Sequence, residues 1–403
     1  MANFQLMREL HQTGSTKIVL LILDGLGGMQ METGGLSELE AAKTPHMDRL
    51  ASEGTLGQIV PIRLGITPGS GPAHLSLFGY DPLEFDVRRG VLEASGVGMN
   101  IGGDVVAARG NFCTVDGDGY ITDRRAGRIP SEDAIPIVDR LAEITIPGVK
   151  IEVKHLREYR FAITIAGEGL EAEIADTDPQ KTGVPPLPAQ AEEPGSQKTA
   201  DLFNRWIELA REVLREEPKA NALTLRGFSK DPKLPQFPEI YELRAACVAV
   251  YPMYRGVSRL VGMHVHNFEG EKPEDEFSAA ASIWDDYDFF FIHIKKTDSK
   301  GEDGDFDGKK GVIEDVDAAI PLLLNLKPDV IAITGDHSTP TKLKKHSWHP
   351  VPLLIWAPAT ARQDPLEAFG ERYCASGGLG TFPGQDLMQL LMAHAGRLAK
   401  YGA

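Results

Sequence analysis

The chain has 403 residues, a length that suits two domains, or one large domain with an insert, and allows a substantial buried core. Its 42 Lys and Arg residues stand against 58 Asp and Glu residues, and the net charge of −16 argues against non-specific binding to nucleic acid or to an anionic membrane. The N-terminal residues lack the pattern of a signal peptide, and no apolar run approaches the roughly 20 residues that cross a bilayer.

The first predicted element is a buried β-strand. Residues 17–23 form a continuous apolar run that ends at Asp24 and opens into a glycine-rich loop. Further on, Thr44 as N-cap and Pro45 at the first helical position predict a helix that continues to residue 51.

A loop rich in Gly and Pro comes next and precedes a second predicted helix. Residues 65–72 form this loop, and a helix that starts after it would place the Ser70 hydroxyl near an electropositive N-terminus. Gly69 and Gly71 flank Ser70, so a phosphate group could approach the backbone. A serine in such a turn is more often only a turn residue, so other catalytic groups must lie nearby for Ser70 to be a nucleophile.

The chain between residues 91 and 234 has a different pattern. Residues 105–112 and 159–165 read as strands, residues 176–196 are polar and rich in Pro, and residues 199–216 predict a helix. We therefore expect a second, smaller α+β domain.

Alternating strands and helices resume after this segment. Four strands are expected, at residues 245–251, 288–294, 329–334 and 351–357. The same pattern on both sides predicts an α/β fold with a mostly parallel sheet flanked by helices. The domain that contains this sheet would comprise residues 1–90 and 235–403, interrupted by the inserted domain at residues 91–234.

Three predicted strands are followed by groups that bind metal ions. They are Asp24, Asp298 and the pair Asp336 and His337, and α/β folds place ligands beyond the carboxyl ends of strands. Aspartate after a strand is also a common turn or cap residue, so each position alone has a structural alternative. Their joint occurrence favours a metal centre, and a mixed Asp and His set suits Mn²⁺ or Zn²⁺ better than Mg²⁺ or Ca²⁺. Two such ions can clamp a phosphoryl group and turn the Ser70 hydroxyl into a nucleophile.

Several motifs, taken together and in chain order, resemble one family. They are the Asp24 loop, Pro68-Gly69-Ser70, Phe78-Gly79-Tyr80-Asp81-Pro82, Thr297-Asp298, Gly335-Asp336-His337 and His346-x-x-His349-Pro350-Val351-Pro352. The sequence is similar to the archaeal-type cofactor-independent phosphoglycerate mutases, which work without 2,3-bisphosphoglycerate and belong to the alkaline phosphatase superfamily. The resemblance covers essentially the whole chain. It implies an alkaline-phosphatase-like α/β domain, interrupted by a smaller inserted α+β domain of transferase type that binds substrate.

The resemblance also implies an activity and a first metal site. The activity is isomerisation of 3-phosphoglycerate and 2-phosphoglycerate, a step of glycolysis and gluconeogenesis, through a phosphoserine and with two divalent metal ions. Asp24, Ser70, Asp336 and His337 would bind one ion, and Ser70 would also take the phosphoryl group.

The second metal site is less complete in this sequence. Asp298 and His346 would bind the ion, but Glu302 stands where the family's wider pattern has a histidine. A carboxylate there tilts this ion toward Mn²⁺ or Mg²⁺, so Mn²⁺ is the expected metal, with Mg²⁺, Co²⁺ and Zn²⁺ as alternatives. Whether Glu302 or His349 is a ligand stays open.

Anion-binding side chains are expected in the inserted segment, because a mutase must hold glycerate after it loses the phosphoryl group. Arginine suits this task because it binds carboxylate and phosphate bidentately. The candidates are Arg109, Arg125, Arg128, His155, Arg160 and Arg226. Arg125, Arg128 and Arg226 lie in short motifs that resemble the family's, but any of the six could instead be a solvated surface charge.

Three further candidates lie nearer the predicted phosphoryl-transfer chemistry. Asp123 could orient the glycerate hydroxyls or shuttle their protons, and Arg255 fits a cation near the serine phosphate. Lys295 and Lys296 both precede Asp298, but alternation along a strand would point only one of them, Lys295 by our choice, at the phosphate.

Two rival functions remain at this level. The nearer rival is a metal-dependent phosphatase or phosphotransferase of the same superfamily that acts on another small phosphorylated metabolite, for example as a homoserine kinase does. The other rival is a non-catalytic metal-binding module. For the mutase and for the rival enzyme alike we expect a small-molecule substrate. We expect a cytoplasmic location because Cys113, Cys247 and Cys374 are widely spaced and read as reduced thiols. A homo-oligomer is left open.

Overall fold

The computed structural model describes residues 4–402, which contain fifteen β-strands and fourteen α-helices, numbered in chain order. The strands are β1 (Ile18–Leu23), β2 (Thr55–Val60), β3 (Val105–Val115), β4 (Ile121–Asp123), β5 (Lys150–Arg157), β6 (Arg160–Ala166), β7 (Ile174–Ala175), β8 (Gln190–Ala191), β9 (Ala222–Ser229), β10 (Ala245–Ala249), β11 (His264–Val265), β12 (Phe289–Ile294), β13 (Val330–Thr334), β14 (Val351–Trp356) and β15 (Gly380–Pro383).

The helices alternate with these strands outside the inserted segment. They are α1 (Phe4–Leu10), α2 (Glu38–Ala41), α3 (Pro45–Glu53), α4 (Ser70–Leu77), α5 (Arg89–Gly96), α6 (Ser131–Ala142), α7 (Gln197–Leu214), α8 (Phe237–Tyr241), α9 (Pro252–Leu260), α10 (Pro273–Ser282), α11 (Lys296–Asp303), α12 (Phe306–Leu324), α13 (Glu371–Ala375) and α14 (Leu387–His394). Within residues 4–402, no helix combines the length and the apolar character needed to cross a membrane.

The chain divides into two compact units. The larger unit runs up to Asp86 and resumes at Leu234, and the smaller unit is Val87–Lys233. The smaller unit thus begins four residues before the predicted start at residue 91, because α5 packs on β3 and β9. Gly90 of α5 lies so close to this sheet that an added Cβ would come within 2.4 Å of the carbonyl oxygens of Ala107 and Gly227. The helix therefore belongs with the inserted strands.

The larger unit contains an eight-stranded sheet in the order β11-β10-β12-β1-β13-β14-β2-β15. All neighbouring strands are parallel except β14, which runs antiparallel to both β13 and β2. Every residue of β1, β12 and β13 is buried, as continuous apolar runs in a sheet covered on both faces require. The predicted α/β fold class with a mostly parallel sheet is confirmed.

The smaller unit is built on an antiparallel sheet in the order β4-β3-β6-β5, with β9 also paired to β3. Large apolar side chains from its strands and from α7 fill its core, including Phe161, Phe203 and Trp206. The predicted helix at residues 199–216 is therefore present, shifted by two residues at each end.

Two local predictions for the larger unit need correction. Pro45 does open α3, but the Thr44 hydroxyl makes no capping bond and instead donates to Asp48 Oδ1 at 3.2 Å. Ser70 does not precede its helix, because α4 begins at Ser70 itself with Gly69 as N-cap.

Candidate functional site

Three adjacent strand ends bring the predicted metal ligands together. In the sheet β1 lies between β12 and β13, and the parallel register pairs Leu23 with Ile294 and Ile22 with Thr334. Asp24 directly follows β1, Asp298 lies in the first turn of α11 after β12, and Asp336 follows β13. Because these strands are parallel, all three carboxylates emerge at the same edge of the sheet.

The ligands form two clusters that share His337. One contains Asp24, Asp336 and His337, the other contains Asp298, His337 and His346, and the ligand atoms within each cluster lie within 4.8 Å of one another. His337 Nε2 is 3.3 Å from Asp24 Oδ1 and 3.2 Å from Asp336 Oδ2. The ring of His346 stacks on that of His337 with 3.6 Å between centroids.

Hydrogen bonds set the tautomers of both imidazoles. The Thr339 hydroxyl donates to Asp298 Oδ1 at 2.8 Å, so it must accept the proton on His337 Nδ1, 2.9 Å away. His346 Nδ1 lies 2.9 Å from the Pro68 carbonyl oxygen, which can only accept. Each ring therefore leaves Nε2 with its lone pair facing the carboxylates, the arrangement that metal-binding histidines adopt.

Ser70 faces the same atoms. Its Oγ lies 3.3 Å from His337 Nε2, and its carbonyl accepts a hydrogen bond from His74 Nδ1 at 2.7 Å. His74 is fully buried, and burial lowers its pKa to about 4, so it stays neutral near pH 7.

The Lys295 side chain places a positive charge between the two clusters. Its ammonium lies 2.9 Å from Asp24 Oδ2 and 2.5 Å from Asp298 Oδ2, so it links the two clusters. Burial alone would raise the pKa of Asp24, but Lys295, the neighbouring imidazoles and the Tyr254 hydroxyl together outweigh burial and hold that pKa below its ordinary value. Burial and the charge of Asp24 raise the pKa of Asp336 well above its ordinary value, and burial lowers that of His337.

The clusters fit divalent metal ions. Asp24 Oδ1 and Asp336 Oδ2 are buried acceptor atoms without a hydrogen-bond partner among the described residues. Buried carboxylate oxygens are costly unless something compensates them, and a metal ion does so. Together with two bare imidazole nitrogens they form the mixed oxygen and nitrogen set that Mn²⁺ or Zn²⁺ accepts.

Two candidate ligands of the second ion belong to neither cluster. Glu302 is exposed on α11, and neither cluster found among residues 4–402 includes it. His349 is likewise in neither cluster, and its Nδ1 lies 3.0 Å from the Ser347 hydroxyl.

Four of the six candidate anion-binding residues of the smaller unit are held by local partners. Arg109 is buried and donates to Asn111 Oδ1, Arg160 donates to Glu158, and His155 Nε2 lies 2.9 Å from the Glu158 carbonyl oxygen. Arg226 Nε donates to Asp176 at 3.2 Å and is also 3.6 Å from Asp178.

Arg125 and Arg128 are exposed at a strained turn. Ala126, Gly127 and Arg128 all have positive φ, at 47°, 63° and 50°. Asp123 stabilises this turn, since its carboxylate accepts the backbone N–H groups of Arg125 at 2.8 Å and Gly127 at 2.7 Å. Backbone strain of this kind is kept where a site needs an exact geometry.

Sequence reasoning missed several residues behind the clusters. The Tyr254 hydroxyl donates to Asp24 Oδ2, and the Tyr254 ring stacks on His293 with 3.6 Å between centroids. His293 is fully buried, with Nε2 3.7 Å from Asp24 Oδ2. A histidine within the otherwise apolar run of β12 was a usable signal for this position, whereas the position of Tyr254 depends on folding. Arg255, its neighbour, donates to Asn267.

Comparison with solved structures first defines the class of fold. A protein of Pyrococcus horikoshii is 33% identical in sequence, with a TM-score of 0.83, over 97% of this chain and 100% of that one. The cofactor-independent phosphoglycerate mutase of Thermoplasma acidophilum is 31% identical, with a TM-score of 0.70, over 94% of this chain and 100% of its own. This chain therefore shares one fold with these proteins along nearly its whole length.

Sequence comparison then gives the family. The profile of 2,3-bisphosphoglycerate-independent phosphoglycerate mutase matches residues 51–220. Proteins described as probable 2,3-bisphosphoglycerate-independent phosphoglycerate mutases are 52% identical in Thermotoga neapolitana, over 98% of both chains, and 51% identical in Thermus thermophilus, over 99% of both chains. The chain belongs to the 2,3-bisphosphoglycerate-independent phosphoglycerate mutase family, which confirms the resemblance inferred from its motifs.

Proposed function

We propose that the protein interconverts 3-phosphoglycerate and 2-phosphoglycerate without 2,3-bisphosphoglycerate, through a phosphoserine at Ser70. The observation that carries the proposal is the Ser70 hydroxyl at 3.3 Å from His337 Nε2, in the first turn of α4 and beside both ligand clusters. An N-terminal turn also favours the negative charge of a phosphoryl group.

Two divalent ions complete this site in the proposal. Asp24, Ser70, Asp336 and His337 would hold one ion, and Asp298 with His346 would hold the other. When bound, the ions would lower the pKa of the serine hydroxyl and neutralise charge on the transferred phosphoryl group. The shared position of His337 supports a pair of neighbouring sites. The mixed ligand set supports Mn²⁺, with Mg²⁺, Co²⁺ and Zn²⁺ as the alternatives to compare.

The side chains of the larger unit have defined tasks in the transfer. In the first half-reaction the Ser70 hydroxyl loses its proton as the Oγ–P bond forms, the bond between phosphorus and the substrate's C3 oxygen breaks, and that oxygen gains a proton. In the second half-reaction the C2 hydroxyl loses its proton as it binds phosphorus, the Oγ–P bond breaks, and Ser70 Oγ regains a proton. Lys295, which neutralises Asp24 and Asp298 in this structure, would turn toward the phosphoryl oxygens. Arg255 is the second cation assigned to that phosphate.

The smaller unit would retain glycerate between the half-reactions. We assign this task to Arg109, Arg125, Arg128, His155, Arg160 and Arg226. The strained turn supports Arg125 and Arg128, because it presents two guanidinium groups outward at a conformational cost of about 1 kcal/mol per non-glycine residue. Asp123 would orient the glycerate hydroxyls or their protons, in addition to its bonds to the turn. The buried carboxylate of Asp178 contacts both Arg226 and Arg124, and this contact favours the assignment of Arg226.

Glu302 and the cellular setting complete the proposal. Because Glu302 is exposed, we propose that it is not required for the second ion, and His349 would act next to the site rather than as a ligand. A role in glycolysis and gluconeogenesis in the cytoplasm follows from the reaction. Three buried free cysteines agree with a reducing compartment.

The experiment is an assay with 3-phosphoglycerate and each metal that follows 2-phosphoglycerate and free phosphate together. The proposal predicts isomerisation without added 2,3-bisphosphoglycerate, little free phosphate, and complete loss of isomerisation in Ser70→Ala. Ser76→Ala, a buried serine of the same helix, is the matched control. Free phosphate in excess over 2-phosphoglycerate would favour the phosphatase alternative instead.

A further inference from the structure

A buried lysine lies behind the ligand clusters. Lys309 of α12 is 0% exposed and lies on the same apolar stripe as Ile313, Val316 and Ile320, which face the core. A lysine on such a stripe costs stability unless its ammonium is fully hydrogen-bonded.

Three backbone carbonyls receive this ammonium. Lys309 Nζ donates to Gly25 O at 2.8 Å, Gly27 O at 3.2 Å and Thr339 O at 2.9 Å. Its ammonium forms no salt bridge with a carboxylate of residues 4–402, and the charges of Glu38 and Glu371 act on it from farther away. One side chain thus binds three backbone acceptors at once.

The three carbonyls belong to the two loops that carry metal ligands. The first loop follows Asp24 and the second follows Asp336 and His337. Thr339 N also donates to Gly25 O and Gly27 O, at 3.2 and 3.0 Å. The loops approach so closely that an added Cβ on Gly27 would lie 1.9 Å from the Ser338 hydroxyl.

Two glutamates, the buried Glu38 and the partly buried Glu371, hold the outer ends of the same loops. Glu38 accepts the N–H of Met29 at 3.1 Å and the N–H of Thr341 at 2.7 Å. Glu371 accepts the N–H of Gly28 at 2.8 Å. Carboxylates therefore bind the loop N–H groups while the Lys309 ammonium binds the loop carbonyls.

Thr339 connects Lys309 to both clusters. Its carbonyl accepts from Lys309, while its hydroxyl donates to Asp298 Oδ1 and accepts from His337 Nδ1. A shift of the Thr339 backbone would therefore move the hydroxyl that orients one carboxylate and one imidazole. Partners of this kind tune metal affinity through the ligands they orient.

We propose that Lys309 is a positioning residue for the metal centre, whose ammonium holds the Asp24 loop and the His337 loop in the geometry that binds divalent ions. The inference rests on the proposed function only in that the two clusters bind those ions. Lys309 touches neither substrate nor the reacting atoms, and acts through the two loops.

The test measures Mn²⁺ binding to metal-stripped protein by calorimetry, with no substrate present. Lys309→Met should weaken Mn²⁺ binding by roughly 10-fold to 100-fold, the range seen when groups that orient ligands are removed. The matched control is Lys310→Met, on the same helix, where the lysine is partly exposed and pairs with Asp307. It should bind Mn²⁺ as the parent protein does.

If Lys309→Met fails to fold, Thr339→Val tests the link by which Lys309 would act, from Thr339 to the two clusters. It retains the carbonyl that Lys309 binds but loses the hydroxyl, so it should fold and also bind Mn²⁺ more weakly. Folded variants that bind Mn²⁺ as tightly as the parent would overturn the role of Lys309. A parent protein that binds no Mn²⁺ would instead overturn the metal centre of the proposed function.

Discussion

Replacing Tyr254 with Phe removes one atom that orients Asp24. The ring of Tyr254 is buried and stacks on His293, so phenylalanine keeps the packing and loses only the hydroxyl that donates to Asp24 Oδ2. Burial and the charge of Asp24 raise the pKa of Tyr254 well above its ordinary value, so the hydroxyl remains a donor at every accessible pH. The substitution is therefore a clean deletion of one hydrogen bond.

The expected loss of Mn²⁺ affinity depends on Lys295, the other partner of Asp24. A hydrogen bond to a charged group is worth about 1.5–3 kcal/mol, but Lys295 still contacts the same oxygen at 2.9 Å in the variant. We therefore expect the substitution to weaken the free energy of Mn²⁺ binding by an amount in the lower half of that range. At about 1.4 kcal/mol per tenfold, the Mn²⁺ affinity should fall by roughly 10-fold to 40-fold.

Calorimetric titration of metal-stripped protein with Mn²⁺ measures this effect directly. Tyr241→Phe is the matched control, since its buried hydroxyl donates at 3.1 Å to the neutral carbonyl of Phe78. That variant should lose about 0.5–1.5 kcal/mol of stability and no Mn²⁺ affinity. If Tyr254→Phe binds Mn²⁺ as tightly as the parent does, the Tyr254 hydroxyl does not orient Asp24 for the metal.

Three further predictions concern the second ion, the pH dependence of stability and the inserted unit. Asp298→Ala should leave one Mn²⁺ per chain by elemental analysis, whereas Glu302→Ala should keep two; loss of an ion in the latter would make Glu302 a ligand. Burial raises the pKa of Glu276 to about 9, so the folded state keeps a proton that the unfolded chain releases above about pH 4.5. Stability should therefore fall as pH rises from 4.5 to 9, by at most about 1.4 kcal/mol per pH unit, and urea titrations of Glu276→Gln should show a flatter dependence. If the stability of Glu276→Gln falls with pH as steeply as that of the parent, groups other than Glu276 cause the dependence. Phe203→Ala should destabilise the smaller unit by about 3–5 kcal/mol in urea, and an unchanged transition midpoint would contradict its place in that core.

The sheet and the position of the candidate ligands at its edge were predictable because both follow from local patterns. The apolar runs of β1, β12 and β13 are continuous, so their ends, and the carboxylates after them, could be read directly. The antiparallel direction of β14 could not, since a buried strand has the same apolar run in either direction.

The groups behind the ligands could be predicted only in part. Tyr254 and Asp24 are 230 residues apart in the chain, so their contact depends on packing that no local pattern records. Lys309 did leave a signal, because its spacing to Ile313, Val316 and Ile320 places it on a buried face. Glu302 shows the opposite case, in which a position suggested by a motif lies on an exposed side of α11.

Ser70 is proposed to carry the phosphoryl group between the two glycerate oxygens. The most direct test of this role is mass spectrometry of peptides from protein quenched in acid during turnover of 3-phosphoglycerate with Mn²⁺. We expect phosphate on Ser70 in the parent protein and none in Ser70→Ala, which should also form no 2-phosphoglycerate. A parent protein that forms 2-phosphoglycerate while its phosphate lies on another residue, or on none, would contradict this role.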